Sequence, residues 1–478
     1  MNRMIDQTLV AQVVQEVLSK LQSGDLQTKA SKGYGMGVFD TMEEAIEAAH
    51  AAFLKLTAGG IAARKKAVQA IRRLCLEKAA EWGRIEFEET RIGRLEHKVE
   101  KLAICAELVP GVEFLTREAY SGDHGLTVIE YTPWGVIGAV TPVTHSVPTL
   151  TGNAINMIAA GNAVAFNVHP GGSRCAALAV KTYNQAIYQA TGIENLLAMV
   201  EKPTLETFAV LGQHPLVRLL CVTGGPGVVK AAMQTGKRAI CAGPGNQPVV
   251  VDETADLDHA ARCIIQGAAY DNNLLCIGEK ELFVVEKVAD ALITALKRNG
   301  AVQLNSSQID ALTKVAFTAE MQGTASHSHP AVNKKYVGAD AAVLAQTIGM
   351  NVSSSVPLLF GETSADHPFV VAEQMMPFLP LVRVRDFEAG VEAAVKADHG
   401  FKHTAIIHSL NVCHMTRMAQ AVDTTLFIKN GPSMSGLGLS GEGFLSYSIA
   451  TPTGEGVTTP MTFTRSRRCV MVDQLKIY

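Results

Sequence analysis

The chain has 478 residues, room for about three structural units at ~150 residues each. Hydrophobic residues make up 47% and charged residues 18%, which excludes an intrinsically disordered chain. Lys plus Arg is 42 against 45 Asp plus Glu, a formal net charge of −3, and that balance excludes a protein whose whole surface binds nucleic acid.

Nine cysteines are scattered along the chain with no CxxC or CxxH pair. That spacing argues against a disulfide scaffold and against a zinc site, and most of these thiols are expected as small buried apolar groups in a reducing, cytoplasmic setting. In residues 1–22, Ile5, Leu9, Val13, Val17 and Leu21 recur every four residues, thickened by Val10, Val14 and Leu18. This is the stripe of an amphipathic helix. Gln12, Gln15 and Glu16 break any apolar region of a signal peptide. Residues 23–35 are polar and read as a flexible linker. A helix with a bare apolar stripe on a tether must bury it, either on its own protein or in the groove of another. Gly33, Gly35 and Gly37 resemble a phosphate loop only superficially, because no strand precedes them.

Helical periodicity occupies Thr41–Leu56 and Ile61–Phe87. Apolar runs at Val136–Thr141, Ala163–Val168, Leu216–Val222, Val249–Val251 and Leu282–Val285 then alternate with helical patterns such as Thr151–Ala160 and Ser173–Thr191. Strand–helix alternation predicts a parallel sheet covered by helices. In such sheets ligands sit beyond the carboxyl ends of the strands. Three loops qualify: Thr141-Pro142, His169-Pro170-Gly171-Gly172 and Thr223-Gly224-Gly225. His327-Ser328-His329-Pro330 has no third ligand at a telling spacing and is expected as an exposed polar loop; no metal site is expected. Cys276, at the end of Asp271-Asn-Asn-Leu-Leu, lies in a polar approach to the apolar run at Leu282. Such a position suits a nucleophile, although a lone cysteine is more often a core residue.

Taken in order, these motifs resemble the aldehyde dehydrogenase superfamily, and more closely its coenzyme A-acylating branch. The resemblance runs from about Gly37 to the C-terminus through Pro133-Trp-Gly-Val136, Gly161-Asn-Ala-Val164, Ala242-Gly-Pro-Gly-Asn-Gln-Pro248, Asp271-Asn-Asn with Cys276, Glu373-Gln-Met-Met-Pro377, Lys429-Asn-Gly-Pro432 and Thr451-Pro-Thr-Gly-Glu-Gly456. It implies an α/β fold with two Rossmann-like domains, a dinucleotide-binding one over 36–247 and a catalytic one over 248–430. It also implies a return segment over 431–478 and a small β-extension for oligomerisation, formed by Ala119–Tyr131 and Phe463–Lys476. Residues 1–22 with their linker resemble the encapsulation tags of aldehyde dehydrogenases housed in bacterial microcompartments, which favours docking on shell or core proteins.

By that resemblance Cys276 is the nucleophile, and His145 stands where the family carries an oxyanion-binding Asn. An imidazolium at His145 would also lower the pKa of Cys276. The resemblance places the dinucleotide against Thr141, Pro142, His169, Pro170, Gly171, Gly224, Gly225, Val228 and Gly243, with Glu373 on the nicotinamide ribose. NAD is expected. Rejection of NADP is less assured, because His169-Pro170-Gly171-Gly172 lacks the family's ribose-binding glutamate and Arg174 is close by. Ala242 occupies the position of the general base in hydrolytic relatives, so an acyl-cysteine should wait for the thiol of coenzyme A. The substrate expected is a short aliphatic aldehyde, propionaldehyde first and acetaldehyde next, and the enzyme is expected as a homodimer or homotetramer. The rival readings are a hydrolytic or phosphorylating aldehyde dehydrogenase on the same fold, a non-catalytic microcompartment scaffold and a cysteine hydrolase.

Overall fold

A computed structural model describes residues 36–324 and 327–475; residues 1–22 and the linker 23–35 lie outside the described residues. The expected helices at 41–56 and 61–87 are joined as α1 (Met42–Thr90) across Gly60, whose φ of 62° is not helical. A reciprocal box between Thr41 and Glu44 caps its start. It is followed by α2 (Leu95–Leu108).

The first sheet contains β1 (Val38–Phe39), β4 (Val136–Thr141), β5 (Ala163–Val168), β6 (Leu197–Val200), β7 (Val217–Thr223) and β8 (Ala239–Ala242), in spatial order β1-β6-β5-β4-β7-β8 and parallel throughout. The second contains β9 (Pro248–Val251), β10 (Glu281–Val285), β11 (Val302–Gln303), β14 (Leu359–Glu362), β15 (Phe378–Val384), β16 (Thr404–His408) and β17 (Leu426–Lys429), in order β11-β14-β15-β10-β9-β16-β17, again parallel. Every residue of β4, β5 and β9 is buried. Strands covered on both faces read as unbroken apolar runs, and this is why they stand out in the sequence. In the first sheet the chain winds outward from β4 in one direction and returns at β7 to wind in the other, so the switch point falls between Thr141 and Thr223.

Two expectations are corrected. The helix α3 begins at Ser146, not Thr151, and runs to Ala159; its cap comes from Glu86, far away in sequence. The segment His327–Pro330 is not a loop: it lies in β13 (His327–Val332), paired antiparallel with β12 (Phe317–Thr324), the backbone pairing outweighing its polar composition. Ala119–Tyr131 is a hairpin, β2 (Glu118–Gly122) and β3 (Gly125–Pro133), and β3 pairs on its other side with β20 (Thr464–Val472), completing a three-stranded antiparallel sheet. Gly37, at φ 87°, is packed so closely on Asn184 and the carbonyl of Leu197 that a Cβ would collide with both. Its role is close approach rather than phosphate binding.

Asn162 ties this extension to the first sheet. Its Oδ1 accepts from the backbone N–H of Trp134 (2.7 Å) and Gly135 (3.1 Å), and its Nδ2 donates to Phe463 O (2.9 Å) and Met157 O (3.2 Å). The side chain is fully buried. Asn162→Ala strands these groups, each worth ~1–3 kcal/mol when left unpaired. Urea unfolding should show a loss of at least ~2 kcal/mol; a loss below ~0.5 kcal/mol would mean that the tie is dispensable.

Candidate active site

The carboxyl ends of the first sheet and loops of the second enclose a crevice of about 1480 Å³. Thr141 and Pro142 follow β4, His169 and Pro170 follow β5, Gly224, Gly225 and Val228 follow β7, and Ala242 and Gly243 end β8; Cys276, Glu373 and His145 complete the set, all on the crevice wall. Gly171 is set back, its N–H donating to His169 Nδ1 at 3.1 Å. Among the described residues of the lining Glu373 is the only carboxylate, and Lys230 and Lys334 are the ammonium groups; most of the remainder is apolar. Such a wall suits an extended ligand with a flat apolar end and phosphates.

Two of the helices that start at this rim differ at their first turns. The helix Ser173–Thr191 has its first N–H groups taken by a side chain: Glu89 accepts from Arg174 N (2.9 Å) and Cys175 N (2.7 Å). Arg174 is absent from the lining. The helix Pro226–Met233 instead begins at Gly225, with no side-chain cap and no atom near a Cβ on Gly225 or Gly227. Open N–H groups at a helix start favour an anion.

Cys276 is held by an unusual turn. Asp271, Asn272 and Asn273 have φ of 48°, 55° and 66°, three consecutive left-handed residues. Asp and Asn tolerate that region better than other side chains with a Cβ. Each is anchored. Asp271 accepts from Arg94 N (2.8 Å). Asn272 accepts from Arg94 Nε (2.7 Å) and donates to Gly338 O (2.9 Å). Asn273 donates to Ala268 O (2.9 Å) and Glu279 O (2.8 Å). Lys280, fully buried, donates to Asn273 O (2.9 Å) and Leu275 O (3.3 Å). Six of the nine cysteines are buried and two are on the outer surface; Cys276 alone is partly open to the crevice. Burial pushes its thiol up to about 12, with Glu373 adding to the rise. Burial raises Glu373 itself to about 7 against the pull of Lys280.

His145 is the N-cap residue of α3. Its ring is buried, 5.5 Å from that of Tyr447 between centroids, and Nδ1 has no hydrogen-bond partner. Burial, then Lys101 and Lys98, hold its pKa well below the ordinary histidine value. The imidazolium expected as one way of lowering the Cys276 pKa is therefore excluded: His145 is neutral and can act only as a neutral N–H donor.

Sequence reasoning missed His399 and Phe401, which line the crevice from a turn where His399 has φ 55°; His399 Nε2 lies 2.8 Å from Val371 O. It also missed Lys98, Lys101 and Lys280, all buried. For the α2 lysines a signal existed. They share a helix face with Leu102 and Cys105, as i, i+3 and i+4 spacing requires.

The protonated thiol yields a pH prediction. Alkylation of Cys276 by iodoacetamide needs the thiolate, and a pKa near 12 makes the rate climb about tenfold per pH unit between 7 and 9. A mass-spectrometric time course that levels off below pH 8 would contradict it.

Residues 36–443 match the aldehyde dehydrogenase family. The acetylating acetaldehyde dehydrogenase of Salmonella typhimurium is 44% identical over 474 residues, covering 99% of this chain and all of that protein. The propionaldehyde dehydrogenase of Rhodopseudomonas palustris, solved with bound CoA and an acylated cysteine, superposes with a TM-score of 0.89 at 44% identity, covering 92% of this chain and 99% of that one. A propionaldehyde dehydrogenase from the fucose-utilisation microcompartment of Clostridium phytofermentans gives a TM-score of 0.89 at 42% identity, covering 93% and 100%. With its two parallel sheets, its crevice at their carboxyl ends and a cysteine open to it, the chain belongs to the aldehyde dehydrogenase family.

Proposed function

We propose that the enzyme oxidises propionaldehyde, with acetaldehyde as the next-best substrate, to the acyl-CoA, and that Cys276 carries the acyl group between the two half-reactions. It is a CoA-acylating aldehyde dehydrogenase whose co-substrates are NAD(P) and coenzyme A; NAD is the preferred dinucleotide in this reading. The observation that carries the assignment is the crevice chemistry around Cys276: one thiol, Ala242 where a base would stand, and no carboxylate but Glu373. Residues 36–247 act as the dinucleotide-binding unit and 248–430 as the catalytic unit.

Thr141, Pro142, His169, Pro170, Gly224, Gly225, Val228, Gly243 and Glu373 would hold the dinucleotide, which would supply a hydride acceptor. Cys276 Sγ attacks the aldehyde carbon as its proton passes to solvent water, forming a C–S bond, opening the C=O π bond and placing negative charge on oxygen. His145 donates a neutral N–H to that oxygen, with the N–H of Cys276 as the second donor. Loss of the hydride leaves a thioester on Cys276. Ala242 presents a methyl group, so no carboxylate activates water there. Cys276 then departs as the thiolate when the acyl group passes to the thiol of coenzyme A.

Residues 1–22 serve as an encapsulation helix that directs the enzyme into a bacterial microcompartment. The sheet of β2, β3 and β20, whose outward residues are largely exposed, joins copies of the chain into a dimer or a dimer of dimers.

Cys276→Ala should abolish acyl-CoA formation without lowering the melting temperature by more than a few degrees; appreciable residual turnover refutes the nucleophile. Loss of an oxyanion donor lowers turnover by roughly 10²–10³, the effect expected of His145→Ala, and a loss under about threefold refutes that role. Product analysis separates the rivals: free acid in excess of acyl-CoA at saturating coenzyme A would mark a hydrolytic enzyme. Fused to a fluorescent protein in cells with microcompartments, residues 1–22 should give puncta, and diffuse fluorescence would remove the tag assignment.

A further inference from the structure

Behind the crevice, four ionisable side chains from three separate parts of the chain meet with no solvent exposure: Glu86 of α1, Lys98 and Lys101 of α2, and Asp271 of the left-handed turn. Lys98 Nζ donates to the carbonyl of Thr144 at 2.6 Å and to Glu86 Oε1 at 3.3 Å, and lies 3.7 Å from Asp271 Oδ2. Glu86 accepts from the N–H groups of Ser146 (3.1 Å) and Val147 (3.2 Å). Those two residues and Thr144 flank His145 on both sides. Lys101 Nζ donates to Asp271 Oδ2, and Tyr447, the ring beside His145, donates its O–H to the carbonyl of Lys101 at 3.2 Å.

Two positive and two negative groups balance inside the protein. An isolated buried charge is strongly disfavoured, so each group requires the others. The balance alone would be met by any paired set. What this set adds is connectivity: one ammonium touches the backbone just before His145, the carboxylate that caps the backbone just after it, and the carboxylate that opens the Cys276 turn. We propose that Lys98 is a positioning residue, a latch that fixes the His145 loop at the distance from Cys276 at which the imidazole reaches the oxyanion. This rests on the reading of His145 as the oxyanion donor.

The test uses the full chain and propionyl-CoA, which acylates Cys276 by reverse thioester exchange. The S–C bond of propionyl-CoA breaks, a new S–C bond forms at Cys276, the cysteine proton passes to the released CoA thiolate, and no dinucleotide takes part. The oxyanion forms in this step too. Lys98→Met should slow acylation, followed by mass spectrometry, by about 10–100-fold, part of the ~10²–10³ that one donor supplies. In a His145→Ala background the same substitution should slow it by less than about threefold, because the positioned group is gone. Alkylation of Cys276 by iodoacetamide, which forms no oxyanion, should stay within threefold. Glu86→Gln/Lys98→Met removes one charge of each sign and stands in if Lys98→Met fails to fold.

Acylation within threefold of wild type in a folded variant overturns the latch. So does an equal loss in the His145→Ala background, or a matching loss of alkylation. If His145→Ala alone acylates at the wild-type rate, the oxyanion assignment falls and the latch with it. If His145→Ala is slow while the Lys98 variants are not, only the latch falls.

Discussion

The placement of Cys276 on the crevice wall hangs on one strained turn. Three consecutive L-residues sit in the left-handed region at Asp271–Asn273, where ordinary side chains lose about 1–2 kcal/mol each. Asp and Asn reduce that loss, and hydrogen bonds to Arg94, Gly338, Ala268 and Glu279 offset the rest. The turn therefore exists only because elements on every side hold it. Its product is a cysteine carried out of the core to the crevice wall, with Lys280 beneath the loop clamping two of its carbonyls. A buried ammonium deprived of its partners would destabilise the fold by ~3–5 kcal/mol, so the chain cannot relax the turn without losing more elsewhere.

The same low-polarity surroundings determine the chemistry. Burial keeps the Cys276 thiol protonated and raises Glu373 to about 7, so neither carries a full charge into a closed site at neutral pH. A thioester formed there faces an alanine at 242 and one carboxylate at 373. Water gains no base from Ala242, whereas a thiol is a good nucleophile with less help. The crevice lining includes Gly225 and Pro226 at the uncapped start of the helix Pro226–Met233, a backbone end whose partial positive charge favours an anion.

Much of this architecture was legible in the residues. Val136–Thr141 and Ala163–Val168 announced themselves because parallel strands buried on both faces need apolar side chains throughout. The loops that follow them fell on the crevice for topological reasons, through the switch between β4 and β7. Where the reading failed, the deciding partner was distant. No local signal shows α3 starting at Ser146, because its cap, Glu86, is sixty residues away. Arg174 looked available to a phosphate until Glu89 was found on its backbone N–H. His327–Pro330 looked like a loop because polar composition says nothing of a hairpin partner. Lys98 and Lys101 went unremarked, because two lysines on a helix are normally solvated.

That distant cap also bears on which group stabilises the oxyanion. A helix N-terminus close to a reacting oxygen would ordinarily offer its free N–H groups and partial positive charge, and α3 begins one residue after His145. Here Ser146 N and Val147 N both donate to Glu86. Its negative charge meets the positive end of α3, and the two N–H groups nearest the site are already occupied. The helix cannot act as the oxyanion donor that its position suggests. The imidazole of His145 stands on that same wall, kept neutral by burial and two nearby ammonium groups and with Nδ1 unpartnered among the described residues. An amide side chain and a neutral imidazole offer the same thing to a developing alkoxide, an uncharged N–H fixed by its surroundings. In the role proposed for His145, an imidazole in place of the family's Asn would preserve the chemistry as long as Glu86, Lys98 and Lys101 keep it uncharged and in place.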